Sequence, residues 1–308
     1  MSAGRPRRHK RPLSPVRSWL EYEGIVGLMA ALRALPLERA SALMARIVGA
    51  GYYTAPRLRA VGLDNLRHAF PERGEAWRQA VLKESLRNLG RLAAEVAWFE
   101  ELRPGNIHER VGFLSAEDER HWRERMENGP AIVATGHFGN WELFVQAQGL
   151  MGYPIHVVHR ALRNPRLDDL LNRFRSRAGT DVIYKHAAAR EILRLLKGGA
   201  LVAIPIDQHQ PGAAGVPVPF FGRPAATTPG PARLAQLTRV PLQVAVLVRR
   251  GASTQHDILV RPPLAPPPPG KDPAVLLEAM ARVNKEFERV VRDYPEQWLW
   301  VHRRWRVD

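Results

Sequence analysis

The sequence contains no cysteine. Disulfides, thiolate zinc sites and a cysteine nucleophile are therefore excluded, and any base or nucleophile must come from His, Ser, Asp, Glu, Lys or Tyr. Long apolar runs are also missing. A membrane-spanning helix needs about 20 mostly apolar residues. The best N-terminal run, Gly24 to Leu32, stops at Arg33 and is preceded by Glu21 and Glu23. It is too short for a span and lacks a suitably placed signal-peptide cleavage site. There is no glycine-rich phosphate loop of the Walker or Rossmann kind and no zincin-type histidine spacing, so neither a cofactor nor a metal is expected. Acidic residues are scarce: 30 Asp and Glu stand against 46 Lys and Arg, a formal net charge of +16. Such a field attracts polyanions, whether nucleic acid, anionic lipid headgroups or acidic proteins.

What is present is enough for a large core, since 45% of the 308 residues are hydrophobic. Arg5, Arg7, Arg8, Lys10, Arg11 and Arg17 all precede the first acid. Residues 1–17, rich in Pro and Arg, read as a disordered basic arm. Helical periodicity then runs from Pro15 to Tyr53 with a break near Leu35-Pro36. The stretch Trp19 to Tyr53 interleaves apolar blocks with Arg33, Glu38, Arg39 and Arg46. It reads either as an amphipathic pair lying on an anionic bilayer or as a helical cap on the core. A second helix is predicted over Gly74 to Phe99. Residues 18–125 thus form an N-terminal helical region with a membrane-associating segment, continuous with a core at 126–308.

From Ala131 short apolar runs alternate with helical segments. Strands are predicted at Ala131–Thr135, Ile155–Val158, Asp181–Tyr184, Ala200–Ile206, Leu242–Val248 and His256–Val260. Helices fall between them at Asn140–Leu150, Pro165–Ala178, Ala187–Leu196 and Pro229–Leu237. The fold class is α/β, a mixed but largely parallel central sheet covered by helices on both faces. A proline-rich loop, Pro262 to Pro273, precedes a last helix over Pro273–Arg292, and the chain ends in an aromatic and basic segment, Trp298 to Trp305.

The stretch Thr135-Gly136-His137-Phe138-Gly139-Asn140-Trp141-Glu142 lies where an apolar strand ends and a helix begins. Sites in open sheets of this kind form at the carboxyl ends of strands. Two residues five apart on one helix would point about 140° away from each other. His137 precedes the helix, so it can fold back onto Glu142. The carboxylate then fixes one ring nitrogen and leaves the other to take a proton from a hydroxyl. Arg160 and Arg163, with His159, form a cationic cluster suited to phosphate oxygens. Asp207-Gln208 ends the most apolar strand and reads either as an orienting group for Arg160 or for a bound polar headgroup, or as a turn. Phe220 and Phe221 read as the lining of an apolar groove or as core. The C-terminal tryptophans read as docking onto the core.

The string Gly-His-Phe-Gly-Asn-Trp-Glu resembles the late acyltransferases of lipid A biosynthesis, within the wider glycerolipid acyltransferases with their His-x4-Asp/Glu signature. Further blocks resemble that family in the same order: Asn65 to Glu72; Arg160 to Pro165, with Ala161 in place of the usual proline; Asp207-Gln208; Val218 to Gly222; and Pro295 to Trp305. The resemblance spans about residues 20 to 306. It implies catalytic His137 and Glu142, with substrate contacts from Gly139, Asn140, Arg160, Arg163, Asn164, Arg175, Asp207 and Gln208. It also implies a donor thioester on acyl carrier protein or coenzyme A, a phosphorylated glycolipid acceptor and an anionic membrane surface as partners, no nucleic acid, and the cytoplasmic face of the inner membrane. Oxyanion donors are expected from backbone N–H groups of the turn or a nearby Arg. The alternatives are the same chemistry on another glycolipid or phospholipid, and a non-catalytic basic protein for membrane or nucleic acid.

Overall fold

The computed structural model describes residues 13–184 and 188–306. The chain begins with α1 (Pro15–Arg33), α2 (Leu37–Gly49), the short α3 (Gly51–Thr54), α4 (Pro56–Ala69) and α5 (Glu75–Glu95). There follow β1 (Val111–Phe113), α6 (Ala116–Glu127), β2 (Ala131–Thr135), α7 (Trp141–Leu150), β3 (Ile155–His159) and α8 (Pro165–Arg177). Next come β4 (Val182–Tyr184), α9 (Ala188–Lys197), β5 (Leu201–Pro205), β6 (Val216–Phe220) and β7 (Arg223–Thr227). The chain closes with α10 (Gly230–Thr238), β8 (Leu242–Arg249), β9 (His256–Val260) and α11 (Pro273–Asp293).

Seven strands form one sheet in the order β1-β9-β8-β2-β5-β3-β4. Only β8 and β9 pair antiparallel; the other neighbours run parallel. The pleat sends alternate side chains to opposite faces, and the two cores follow that alternation. Ile132, Ala134, Val202 and Ile204 pack with α5, α9, α10 and α11. Ala131, Val133, Leu201 and Ala203 pack with α6, α7 and α8. Both faces are therefore covered, which is why the strands read as unbroken apolar runs.

Most of the basic arm expected over 1–17 lies outside the described residues. Its last part differs from expectation: α1 already starts at Pro15, capped by Ser14, whose side chain accepts from the Arg17 amide. α4, α6, β1 and the β6–β7 hairpin were not expected. Their patterns are short or strongly charged, and their apolar residues are matched across the structure, not along the chain. No helix among the described residues is long and apolar enough to cross a membrane. α1 nevertheless leaves Val16, Trp19, Leu20, Ile25 and Leu28 exposed, and α2 leaves Leu43 and Ile47 exposed.

The C-terminal segment is held by the N-terminal helices. Ser85 Oγ donates to Trp298 O at 2.7 Å, Asn88 Nδ2 to Glu296 O at 3.0 Å, and Asn65 Nδ2 to Trp300 O at 2.6 Å. Trp298 and Trp300 are buried, and Trp298 packs edge-on against Phe220. Phe220 and Phe221 are likewise buried, so they are core and do not line a groove.

Candidate active site

β2 stands centrally, with β5 on one side and β8 on the other. The turn after β2 leads into α7 and carries His137. Asn140 caps α7: its Oδ1 accepts from the Leu143 amide at 2.9 Å. Two glycines make the turn possible. At Gly136 an added Cβ would lie 2.5 Å from Phe287 and 2.9 Å from Asp207 Cγ. Gly139 has φ +53°, and its Cβ would lie 1.8 Å from the carbonyl oxygen of Leu247. The C-terminal segment clamps the turn from outside. Gly139 N donates to Gln297 O at 2.9 Å and Leu299 N to His137 O at 3.1 Å.

The imidazole is about one-quarter exposed and lies 5.1 Å, edge to face, from the Trp141 ring. Its partner is Asp207, at the end of β5: Nδ1 lies 3.0 Å from Oδ1. The other carboxylate oxygen accepts from His137 N at 2.8 Å and from Trp298 Nε1 at 3.0 Å. Burial opposes charge on Asp207, but the charge and hydrogen bonds of His137 outweigh it and hold the carboxyl down to about 2. Burial likewise disfavours the imidazolium; Asp207, with Glu142 beyond it, reverses this and raises His137 above the ordinary histidine value.

The expected His137–Glu142 pair is not formed. Glu142 is taken by Arg175 of α8, whose Nη2 donates to both carboxylate oxygens at 3.0 and 2.9 Å while Nε lies 3.3 Å from Oε2. Asn140 commits the chain to helix before Glu142, and a guanidinium fork matches a carboxylate better than one ring nitrogen does. Glu142 acts on His137 through space. Arg175 is buried, so it supports Glu142 and is not a surface contact for substrate. Because Arg175 would be left charged and buried, Glu142→Gln is expected to destabilise the fold by about 3 kcal/mol or more. Denaturant titration checks this, and adding Arg175→Met should restore most of the loss. A Glu142→Gln protein as stable as wild type would count against the pair.

Other expected contacts are structural. Gly139 is packed against Leu247, and Asn140 is fully buried, its Nδ2 donating to Glu95 Oε2 at 2.6 Å. Glu95, at the end of α5, also binds Arg249 and lies 3.0 Å from His256 Nε2. Burial opposes its charge, but His256 and Arg249 bring it down to about 2. Asn164 is buried; it caps α8 and donates to Ser18 O at 2.9 Å. Asp207 does not orient Arg160, since both its oxygens are used at His137. His159 leaves the cationic cluster, lying 3.0 Å from Asp168. Arg160 and Arg163 remain exposed after β3, neither in an ion pair among the described residues, though the charge of Arg163 acts on Glu21 of α1. Gln208 lies against the His137 ring. The turn is not the expected oxyanion hole: the amides of His137, Phe138 and Gly139 already donate to Asp207, Gly136 O and Gln297 O.

Asp207 as the partner of His137, and Glu95, Arg249 and Gln297 as supports of the turn, lie beyond sequence reasoning. The one signal was Asp207's position at a strand's carboxyl end. That β5 neighbours β2 was not visible.

A part-exposed histidine backed by a buried carboxylate, at the carboxyl ends of adjacent parallel strands, is an arrangement able to take a proton from a hydroxyl. Residues 7–307 match the model of the bacterial lipid A biosynthesis acyltransferases, and the chain belongs to that family. It is 26% identical over 294 residues to the lipid A biosynthesis palmitoleoyltransferase of Escherichia coli strain K12, covering 94% of this chain and 92% of that one. It is 29% identical over 248 residues to the lauroyltransferase of the same organism, covering 79% and 77%. With the myristoyltransferase it shares 25% over 293 residues, covering 92% and 86%.

Proposed function

We propose that this chain transfers a fatty-acyl group from a thioester, on acyl carrier protein or coenzyme A, to a hydroxyl of a phosphorylated lipid A precursor. The observation that carries this is the part-exposed His137, whose Nδ1 is engaged by a buried carboxylate, which leaves Nε2 to serve as the base. The acceptor hydroxyl gives its proton to Nε2 as its oxygen attacks the thioester carbon. The new C–O bond forms, the C–S bond breaks, and the imidazolium returns the proton to the departing thiolate. Asp207 and, through space, Glu142 stabilise the transient imidazolium. No acyl-enzyme is required.

The exposed Arg160 and Arg163 suit the acceptor's phosphate. The +16 field would steer an acidic carrier protein toward the site. The exposed apolar residues of α1 and α2, with Arg39 and Arg46 among them, support docking on an anionic bilayer, which we assign to the cytoplasmic face of the inner membrane. The test is incubation of the purified protein with acyl carrier and coenzyme A thioesters of several chain lengths and phosphorylated disaccharide acceptors. Mass spectrometry should detect addition of one acyl group. No transfer from any thioester to any such acceptor would sink the reading.

A further inference from the structure

The loop that carries Arg160 and Arg163 runs from the end of β3 to the start of α8. β3 pairs parallel with β5, so the loop leaves the sheet at the same end as Asp207. Neither glycine nor proline stands between His159 and Asn164, and every residue from Arg160 to Arg163 is exposed. These side chains bury little, so hydrogen bonds set the course of the loop. Its far end is tied to α1: Leu13 N donates to Arg163 O at 3.3 Å, and Asn164 Nδ2 to Ser18 O at 2.9 Å.

Its middle is tied to Asp168, in the first turn of α8. Oδ1 of Asp168 accepts at 2.8 Å from Leu162 N, an amide between the two arginines, and lies 3.0 Å from His159 Nε2. Oδ2 accepts from the Tyr184 hydroxyl at 2.9 Å, and Asn172 Nδ2 donates to that hydroxyl at 2.7 Å. Asp168 is buried, and burial opposes its charge; the Leu162 amide, His159 and Tyr184 outweigh this and hold the carboxyl below its ordinary value. An ionised carboxylate only accepts, so His159 carries a proton on Nε2. The end of β3, the loop and the end of β4 thus converge on one carboxylate. Its charge is adverse to an anion bound nearby.

We propose that Asp168 is a positioning residue, whose bond to Leu162 N presets the Arg160–Arg163 loop for the phosphate of the acceptor. This rests on the phosphate reading of those arginines, and its test measures binding without turnover. Isothermal titration calorimetry of the full chain compares a phosphorylated disaccharide lipid with its dephosphorylated form, both in detergent micelles. Wild type should prefer the phosphorylated lipid, and Arg160→Ala combined with Arg163→Ala should abolish the preference. Asp168→Ala should weaken binding of the phosphorylated lipid by about tenfold or more, the worth of one charge-assisted hydrogen bond, and leave the other lipid unaffected. The sign is diagnostic, because loss of a negative charge alone would tighten anion binding. Asp168→Asn loses the same charge, and with it the favourable interaction with the α8 dipole, but keeps an oxygen for Leu162 N. It should retain the preference. Added to the double arginine variant, Asp168→Ala should weaken binding no further. If circular dichroism shows Asp168→Ala unfolded, Asp168→Glu takes its place; it keeps the charge, displaces the oxygen and should lose the preference. Phosphorylated lipid bound by Asp168→Ala as tightly as by wild type, or by Asp168→Asn as weakly as by Asp168→Ala, overturns this inference alone. A wild type that ignores the phosphate overturns the arginine reading with it. The expected binding pattern in an enzyme that transfers no acyl group would sink only the acyl-transfer reading.

Discussion

Asp207→Asn is expected to lower turnover by about three to four orders of magnitude while the protein stays folded, the cost of leaving a catalytic imidazole in the wrong tautomer. Two fixed donors decide the orientation of the new amide. His137 N and Trp298 Nε1 both point at the Oδ2 position, so the amide oxygen settles there. The NH2 group then occupies the Oδ1 position and donates to the ring's Nδ1. The ring proton moves to Nε2, where the base is needed. Steady-state kinetics with unchanged near-ultraviolet circular dichroism would check this, and His137→Ala should lose at least as much. An Asp207→Asn enzyme within tenfold of wild type would remove the pair from the mechanism. The wild-type pH profile follows from the same geometry. The working form is the neutral ring and its pKa is raised, so the rate should climb with pH through a midpoint above 6.5.

Gly139→Ala is expected to cost at least about 3 kcal/mol, combining the strain of a left-handed backbone with overpacking against a main-chain atom. The added methyl would meet the Leu247 carbonyl oxygen, which belongs to central strand β8 and cannot rotate aside. Gly139 N also bonds Gln297 O, and Gln297 in turn brackets Arg249 through Oε1 at 2.7 Å and Nε2 at 3.0 Å. A shift at 139 therefore disturbs β8, the C-terminal segment and the His137 turn together. Denaturant unfolding measures the loss. A variant within about 1 kcal/mol of wild type, below the usual cost of overpacking, would show that the turn can rearrange.

Local pattern was enough for much of the molecule. The apolar runs at Ala131–Thr135 and Leu242–Val248 specify buried strands, because burial on both faces leaves no polar alternation. Asn140 specifies where α7 begins, because its side chain can serve the free amide of Leu143. The glycines at 136 and 139 mark a turn that no larger residue enters. These features depend on neighbours within a few positions, so the sequence by itself determined the α/β class, the strand-end position of His137 and the exposed arginines after β3. The neighbours of β2 are set by pairings 70 residues apart or more, with β5 and with β8, for which the chain carries no local signal. Only the tertiary structure decided that β5 lies beside β2, which delivers Asp207 to His137, and that α8 lies beside α7, which gives Glu142 to Arg175. A carboxylate five residues away lost to one seventy away because hydrogen bonding follows distance in space, and the sheet register sets that distance.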